Sequence, residues 1–222
     1  MSQLEHAARL REFDAPAEIT AWAAKQPSFD EAWDASPSSR HRVWLGAVSG
    51  VAVETIAESA AAAFFAVVES APETQTFEHA VEESVAASDA ETAAKLAERC
   101  ERAAHALGSY RERDRTREAI IARAAAHVCR AFEALRAAES SMESDRLLRA
   151  RTTASYMGGG VHAFLPAHPG PATLLVTAPS SVERGLLVDA VTSAGDAIAL
   201  LATLVLDTAA LDEAVWDALA PS

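Results

Sequence analysis

Residues 89–107, DAETAAKLAERCERAAHAL, decide the fold class of this chain. Apolar side chains recur there at intervals of three and four, at Ala93, Leu96, Cys100, Ala103, Ala104 and Leu107. This spacing places them on one face of an α-helix. Glu91 and Lys95 stand one turn apart, where opposite charges stabilise a helix. The stretch therefore predicts an amphipathic helix.

The same periodicity extends to most of the chain, with the clearest repeats within 53–67 and 120–135. Serines followed three residues later by glutamate, at Ser28, Ser88 and Ser180, match the capping box that starts helices. We predict helices near 3–12, 15–26, 28–35, 38–71 (with a break possible at Ser49-Gly50), 76–87, 89–107, 111–138, 144–157, 181–206 and 208–219.

Residues 158–179 depart from the helical pattern. Gly158-Gly159-Gly160 opens this segment, and prolines cluster between Pro166 and Pro179. Ala172 to Thr177 has the composition of a single short strand. The sequence predicts an all-α, alanine-rich multi-helix bundle of one domain. In it, an irregular connection at 158–179 joins an N-terminal helical body (1–157) to a C-terminal helical hairpin (180–222).

Alanine makes up about a quarter of the chain, whereas aromatic residues make up 6%. Alanine favours helices and buries little area, so helices that share an alanine-rich core must approach closely. Trp22, Trp33, Trp44 and Trp216 are expected to fill the core as wedges between such helices.

The formal charge of −13 disfavours nucleic acid and anionic membrane surfaces as partners. The apolar run at Ala197 to Leu206 is about ten residues long, half of what a membrane span needs. The polar N-terminus does not resemble a signal peptide, and the two cysteines fit a reduced compartment. These features favour a soluble cytoplasmic protein.

Cys100, His105, His127 and Cys129 supply the ligand types of a zinc site. On helices, however, neither the five-residue spacing of the first pair nor the two-residue spacing of the second places both side chains on one face. We therefore predict a buried thiol at Cys100 and a core histidine at His127. No metal site and no cofactor are predicted.

Pairs of acidic residues on helices suggest acid–base chemistry only weakly. Glu54 and Glu58, one turn apart, and Asp189 and Asp196, two turns apart, are typical of the polar stripe of an amphipathic helix. No catalytic residue is assigned from the sequence.

A candidate ligand site remains where the helices stop. Basic side chains precede the triple glycine and histidines follow it, so an anion or small molecule could bind to Arg146, Arg149, Gly158, Gly159, Gly160, His162 and His168. The segment matches neither a phosphate-binding loop nor a dinucleotide fingerprint. A helix stop with a rigid turn is the alternative interpretation.

Three functional hypotheses follow from these patterns. The leading one is a non-enzymatic interaction protein, an adaptor, regulator or structural subunit that binds a protein partner or itself through helix faces. The second is an enzyme or ligand-binding protein with a pocket at Gly158 to His168. The third is an acidic inhibitor or immunity-type protein that blocks a basic partner, with Glu54, Glu58, Glu82 and Glu83 on one exposed face.

Overall fold

The regular structure of the described part of the chain is helical. A computed structural model describes residues 3–68, 72–108, 113–156 and 180–205, with Val215, Trp216 and Leu219, and gives the backbone alone for 3–5, 113–115 and 143–156. This part is 83% helical and contains no strand, which confirms the all-α prediction. The predicted strand at 172–177 and most of the helix predicted near 208–219 lie outside the described residues.

Nine helices occur in the described ranges: α1 (Gln3–Glu12), α2 (Ala17–Ala23), α3 (Phe29–Asp34), α4 (Ser39–Ser49), α5 (Val53–Val67), α6 (Gln75–Ala86), α7 (Ala90–Gly108), α8 (Arg113–Tyr156) and α9 (Ser181–Ala202). Helices α8 and α9 pack along each other at the centre. Helices α6 and α7 cover α8, whereas α4 and α5 lie against α9 and α1 lies against α4.

Glycine sets the break between α4 and α5. Gly50 adopts a left-handed conformation with φ of 108° after the last residue of α4. The N–H of Val51 then donates to the carbonyl of Gly46 at 3.1 Å. This hydrogen bond satisfies a carbonyl group in the last turn of α4 and ends the helix. Of the two alternatives for 38–71, the broken helix is the correct one.

Helix α8 is continuous, and the prediction of separate helices at 111–138 and 144–157 is wrong. Residues 139–143, Glu-Ser-Ser-Met-Glu, contain no glycine or proline to stop the helix. Ala138 and Met142 are both buried, so the apolar face continues across the expected gap. The small helix propensity cost of two serines does not outweigh this packing.

Helix starts follow the predicted serine caps in two cases out of three. Ser28 and Ser180 each accept a hydrogen bond from the N–H of the glutamate three residues later, at 3.2 Å. At α7 the cap is Asp89 instead of Ser88, because the N–H of Thr92 donates to the Asp89 carboxylate at 2.8 Å. The carboxylate also accepts from the Thr92 hydroxyl, which the serine could not match.

Helix α9 is, among the described helices, the one that is long and apolar enough to cross a membrane by length and composition alone. The core helix of a bundle meets the same criteria. Nine residues of α9 are buried, and its main packing partners are α4, α5 and α8.

Tryptophans divide into one core residue and three at the edge of the core. Trp44 is 1% exposed and is among the largest fully buried side chains. Trp22, Trp33 and Trp216 are half-buried and pack against the core from outside. The wedge prediction therefore holds fully for Trp44.

Candidate functional site

The ligand site predicted from the sequence falls where the structure describes little. Arg146 and Arg149 lie in the last turns of α8, where the backbone alone is described. Gly158, Gly159, Gly160, His162 and His168 lie outside the described residues. The site therefore stays a prediction.

The four candidate zinc ligands do not lie together in the structure. Cys100 and Cys129 are both buried and meet between α7 and α8, whereas His105 is exposed. His127 faces a different set of side chains, at the side of α8 next to α9. Among the described residues, no three His, Cys, Asp or Glu side chains are placed to share a metal ion.

A charged cluster that the sequence did not reveal surrounds Asp196 on α9. The Nε of Arg40 on α4 contacts Oδ1 of Asp196 at 2.7 Å, and an Nη of the same guanidinium lies 3.9 Å from Glu18 on α2. His127 of α8 lies near Asp196 and near Glu101 of α7. We call Arg40, Glu101, His127 and Asp196 the Asp196 cluster. It joins four helices, α4, α7, α8 and α9.

Gly195 allows α4 to approach α9 closely enough for the ion pair. A Cβ at this position would lie 3.8 Å from the Cα of Arg40 and 3.6 Å from a methyl group of Val43. Those distances are ordinary van der Waals contacts, so alanine fits, but a longer side chain would push α4 away. The absence of a side chain at Gly195 thus lets α4 lie close enough for the Arg40 guanidinium to reach Asp196.

His127 is neutral at physiological pH because of its surroundings. Burial lowers the pKa of His127 below its ordinary value of 6.5, and the carboxylates of Asp196 and Glu101 oppose this effect only in part. Burial also lowers the pKa of His41 on α4, whose ring meets Trp22 edge-on at 4.9 Å. Two imidazoles are therefore held in the uncharged form.

Arg130 of α8 extends the charged surface next to the cluster. Its guanidinium donates to both carboxylate oxygens of Glu101 at 2.9 and 3.1 Å, and to Glu133 at 2.6 Å. These bonds lower the pKa of Glu101 and raise the pKa of Arg130, so both groups stay ionised. Because Glu101 is on α7 and Arg130 is on α8, this bidentate pair links the two helices at a defined register.

The ion pairs of this arrangement hold neighbouring helices together. Arg40 is paired with Asp196, and Arg130 is paired with Glu101 and Glu133, so these charges are satisfied within the protein. We attribute the lowered pKa of His127 to burial within this ion-pair network, since such networks perturb pKa values without catalysis. No local sequence pattern predicts this cluster, because Arg40 and Asp196 are brought together by the packing of α4 on α9.

We expect the free energy of unfolding to fall as the pH drops from about 7.5 to about 5.5. Both histidines have folded-state pKa values below 6.5, so in this window the unfolded chain binds protons that the folded chain does not. The stabilisation is complete above pH 6.5 and is lost as the pH falls through the folded pKa values. Urea titrations across the range measure the effect. His127→Gln should flatten the pH dependence, and an equal slope in that variant would contradict the assignment.

A second buried charged side chain lies at the start of α9. Glu183 is 0% exposed, and neither carboxyl oxygen has a hydrogen-bond partner in the described part of the chain. Its backbone N–H donates to Ser180, but the side chain does not complete the reciprocal half of a capping box. The next residue, Arg184, stacks its guanidinium over Phe13 at 5.3 Å. We assign no chemistry to Glu183 from these contacts.

Comparison with known proteins does not place the chain in a family. Protein-family models, curated protein sequences and solved structures all give no match.

Proposed function

We propose that this chain is a non-enzymatic cytoplasmic interaction protein, an adaptor, regulator or structural subunit, that docks a protein partner through the far end of α8. The observation that carries the proposal is the length of α8. It has 44 residues, against 19 in α7 and 22 in α9. At 1.5 Å per residue, α8 is about 66 Å long and its neighbours about 30 Å.

The contacts with α7 place the extra length at the C-terminal end of α8. Arg130 meets Glu101, and Arg123 lies near Gly108 at the end of α7. Arg136 donates to the carbonyl of Ala87, which precedes α7, at 2.9 Å. The start of α7 is therefore near the level of Arg136, and α8 continues for about twenty residues beyond it.

Helix α9 does not reach along this end of α8 either. Asp196 faces His127, and fifteen residues of α9 precede Asp196. Whether α9 runs parallel or antiparallel to α8, fifteen residues counted from the level of His127 reach no farther along α8 than about residue 142. We call 143–156 the α8 extension. It is about four turns of helix past the ends of both long neighbours.

The sequence of the α8 extension differs from that of the body. Residues 143–156 carry Arg146, Arg149 and Arg151 against Glu143 and Asp145, a net charge of +1 in a chain of net −13. Leu147 and Leu148 lie among these charges. Arginine and leucine together on one stretch of helix suit a helix that binds in a groove of a partner.

Capture of partners from native cell extract by tagged protein tests the proposal. We expect the wild-type chain to retain a defined partner, and the double variant Arg146→Glu/Arg149→Glu to lose it. Arg99→Glu/Arg102→Glu is the matched control, since these exposed arginines on α7 have the same three-residue spacing and the same change in charge. Equal retention by all three proteins would contradict a role for the α8 extension.

The acidic-inhibitor hypothesis has some support of its own and predicts a different result. Glu58, Glu82 and Glu83 are exposed, although Glu54 is half-buried. If these carboxylates bound a basic partner, Glu82→Arg/Glu83→Arg would abolish capture and the arginine variants would not. Light scattering on the same proteins measures self-association, which a mass equal to one chain at high concentration would exclude.

A further inference from the structure

A pair of buried thiols lies between α7 and α8, outside the Asp196 cluster. Cys100 is 1% exposed and Cys129 is 0% exposed. The Cys129 thiol is within hydrogen-bonding reach of the Cys100 sulfur and also lies 3.6 Å from the carbonyl oxygen of Ala80. The buried Ser84 hydroxyl of α6 lies beside the same sulfur. The two sulfur atoms therefore face each other at the junction of three helices.

The packing around the pair brings the two backbones close. On the buried side of α7, Cys100 is flanked by Leu96 and by three alanines, Ala93, Ala97 and Ala104. On α8, Ala125, Ala126 and Ala122 are buried near Cys129. A disulfide needs Cα atoms within about 7 Å, which helices in contact reach only through small side chains.

An ion pair holds the two cysteines in register. Glu101 follows Cys100 and Arg130 follows Cys129, and these two charged residues are joined by two hydrogen bonds at 2.9 and 3.1 Å. The ion pair of Glu101 and Arg130 thus fixes the contact between α7 and α8 next to the thiols. The two sulfur atoms stay opposite each other without depending on their own weak hydrogen bond.

We propose that Cys100 and Cys129 form a reversible intramolecular disulfide when the protein meets a peroxide, so that this pair is an oxidation site linking α7 to α8. The site is separate from the α8 extension, and its test does not depend on a protein partner.

The reaction balances with one peroxide molecule. The Cys100 sulfur attacks a peroxide oxygen, the O–O bond breaks, and the leaving oxygen takes the thiol proton and departs as water, leaving a sulfenic acid on Cys100. The Cys129 sulfur then attacks the Cys100 sulfur and forms the S–S bond. The sulfenic oxygen leaves as a second water with the Cys129 proton. Two thiols are oxidised by two electrons, and hydrogen peroxide is reduced to two waters.

The environments of the two thiols favour this order. The hydrogen bond from Cys129 lowers the pKa of Cys100, and the charge of Arg99 acts in the same direction. The same contact and burial raise the pKa of Cys129. Because the thiolate is the nucleophile, Cys100 reacts first with the oxidant and Cys129 resolves the intermediate.

The experiment treats the full-length protein with hydrogen peroxide, quenches it in denaturant with an alkylating reagent, and maps peptides by mass. We expect one peptide pair joined through Cys100 and Cys129, with both free thiols restored by dithiothreitol. The oxidised protein should have a Tm higher by about 5–10 °C, because the bond restricts the unfolded chain. Free or singly over-oxidised cysteines without the linked pair would overturn the proposal.

Two variants separate the roles of the cysteines. Cys129→Ala keeps Cys100 but lacks the resolving thiol, so peroxide should leave a sulfenic acid on Cys100 that a dimedone reagent traps. Cys100→Ala should show much slower labelling at Cys129. Alanine fits a core already rich in that residue, and circular dichroism checks folding. Faster labelling at Cys129 than at Cys100 would refute the assigned order, and the wild-type peptide map tests the bond without any variant.

Discussion

Replacing Ser140 with proline is expected to lower the free energy of unfolding by about 3 kcal/mol or more. Ser140 is exposed in the middle of α8, so the side chain itself contributes little packing. Proline removes a backbone hydrogen bond and clashes with the carbonyl four residues earlier, which breaks the helix before the α8 extension. Urea unfolding followed by circular dichroism at 222 nm measures the loss.

Ser140→Ala is the matched control for this substitution. Alanine favours a helix slightly more than serine does, so this variant should be as stable as the wild type or more stable by about 0.5 kcal/mol. A proline variant with unchanged stability would mean that α8 is two helices, as the sequence alone suggested. The proline variant should also lose the captured partner, since the α8 extension would no longer be rigidly joined to the body.

Replacing Trp44 with alanine is expected to cost about 3–5 kcal/mol and to lower the Tm by about 10 °C. Trp44 lies on α4 in a core where many residues are alanines, which have no flexible side chain to fill the space left behind. The cavity therefore stays open and its cost is near the upper end of the range. Differential scanning calorimetry and urea titration give the two quantities.

Trp22→Ala separates the effect of burial from the effect of residue type. Trp22 is half-buried and touches the ring of His41, so its removal exposes less apolar area and leaves no closed cavity. We expect it to cost about 1–2 kcal/mol. Equal losses for the two tryptophans would contradict the division between core and edge.

Local patterns in the sequence predicted most of the helices. They did not predict every residue at which a helix begins, or whether a helix continues. The three- and four-residue spacing around Leu96 predicted α7, and the cap at Ser180 predicted the start of α9. The N-cap of α7 is Asp89 and not the predicted Ser88. Both neighbouring residues are able to cap a helix, and the two hydrogen bonds from Thr92 to Asp89 decide between them. The continuity of α8 was missed because it depends on tertiary packing of Met142, which no local pattern shows.

Contacts between helices could not be predicted from the sequence. Cys100 and Cys129 each fit an apolar stripe, but their contact depends on the register of α7 along α8. That register is set by Glu101 and Arg130, two residues of a kind found all along both helices. In the same way, Arg40 and Asp196 become partners through the packing of α4 on α9, where Gly195 leaves room for a close approach. Pairing of this kind is a property of three-dimensional packing.

The closeness of α7 and α8 in the chain has a consequence for how the protein folds. Only residues 109–112 separate the two helices, and they bury their apolar faces against each other over most of α7. The entropy lost in closing so short a connection is small, so this hairpin is the long-helix pairing with the lowest kinetic barrier. We expect it to form in the folding transition state, with α9 joining later from a distant part of the chain. Mutations at Leu96 should then slow folding, whereas mutations at Ile198 should mainly speed unfolding.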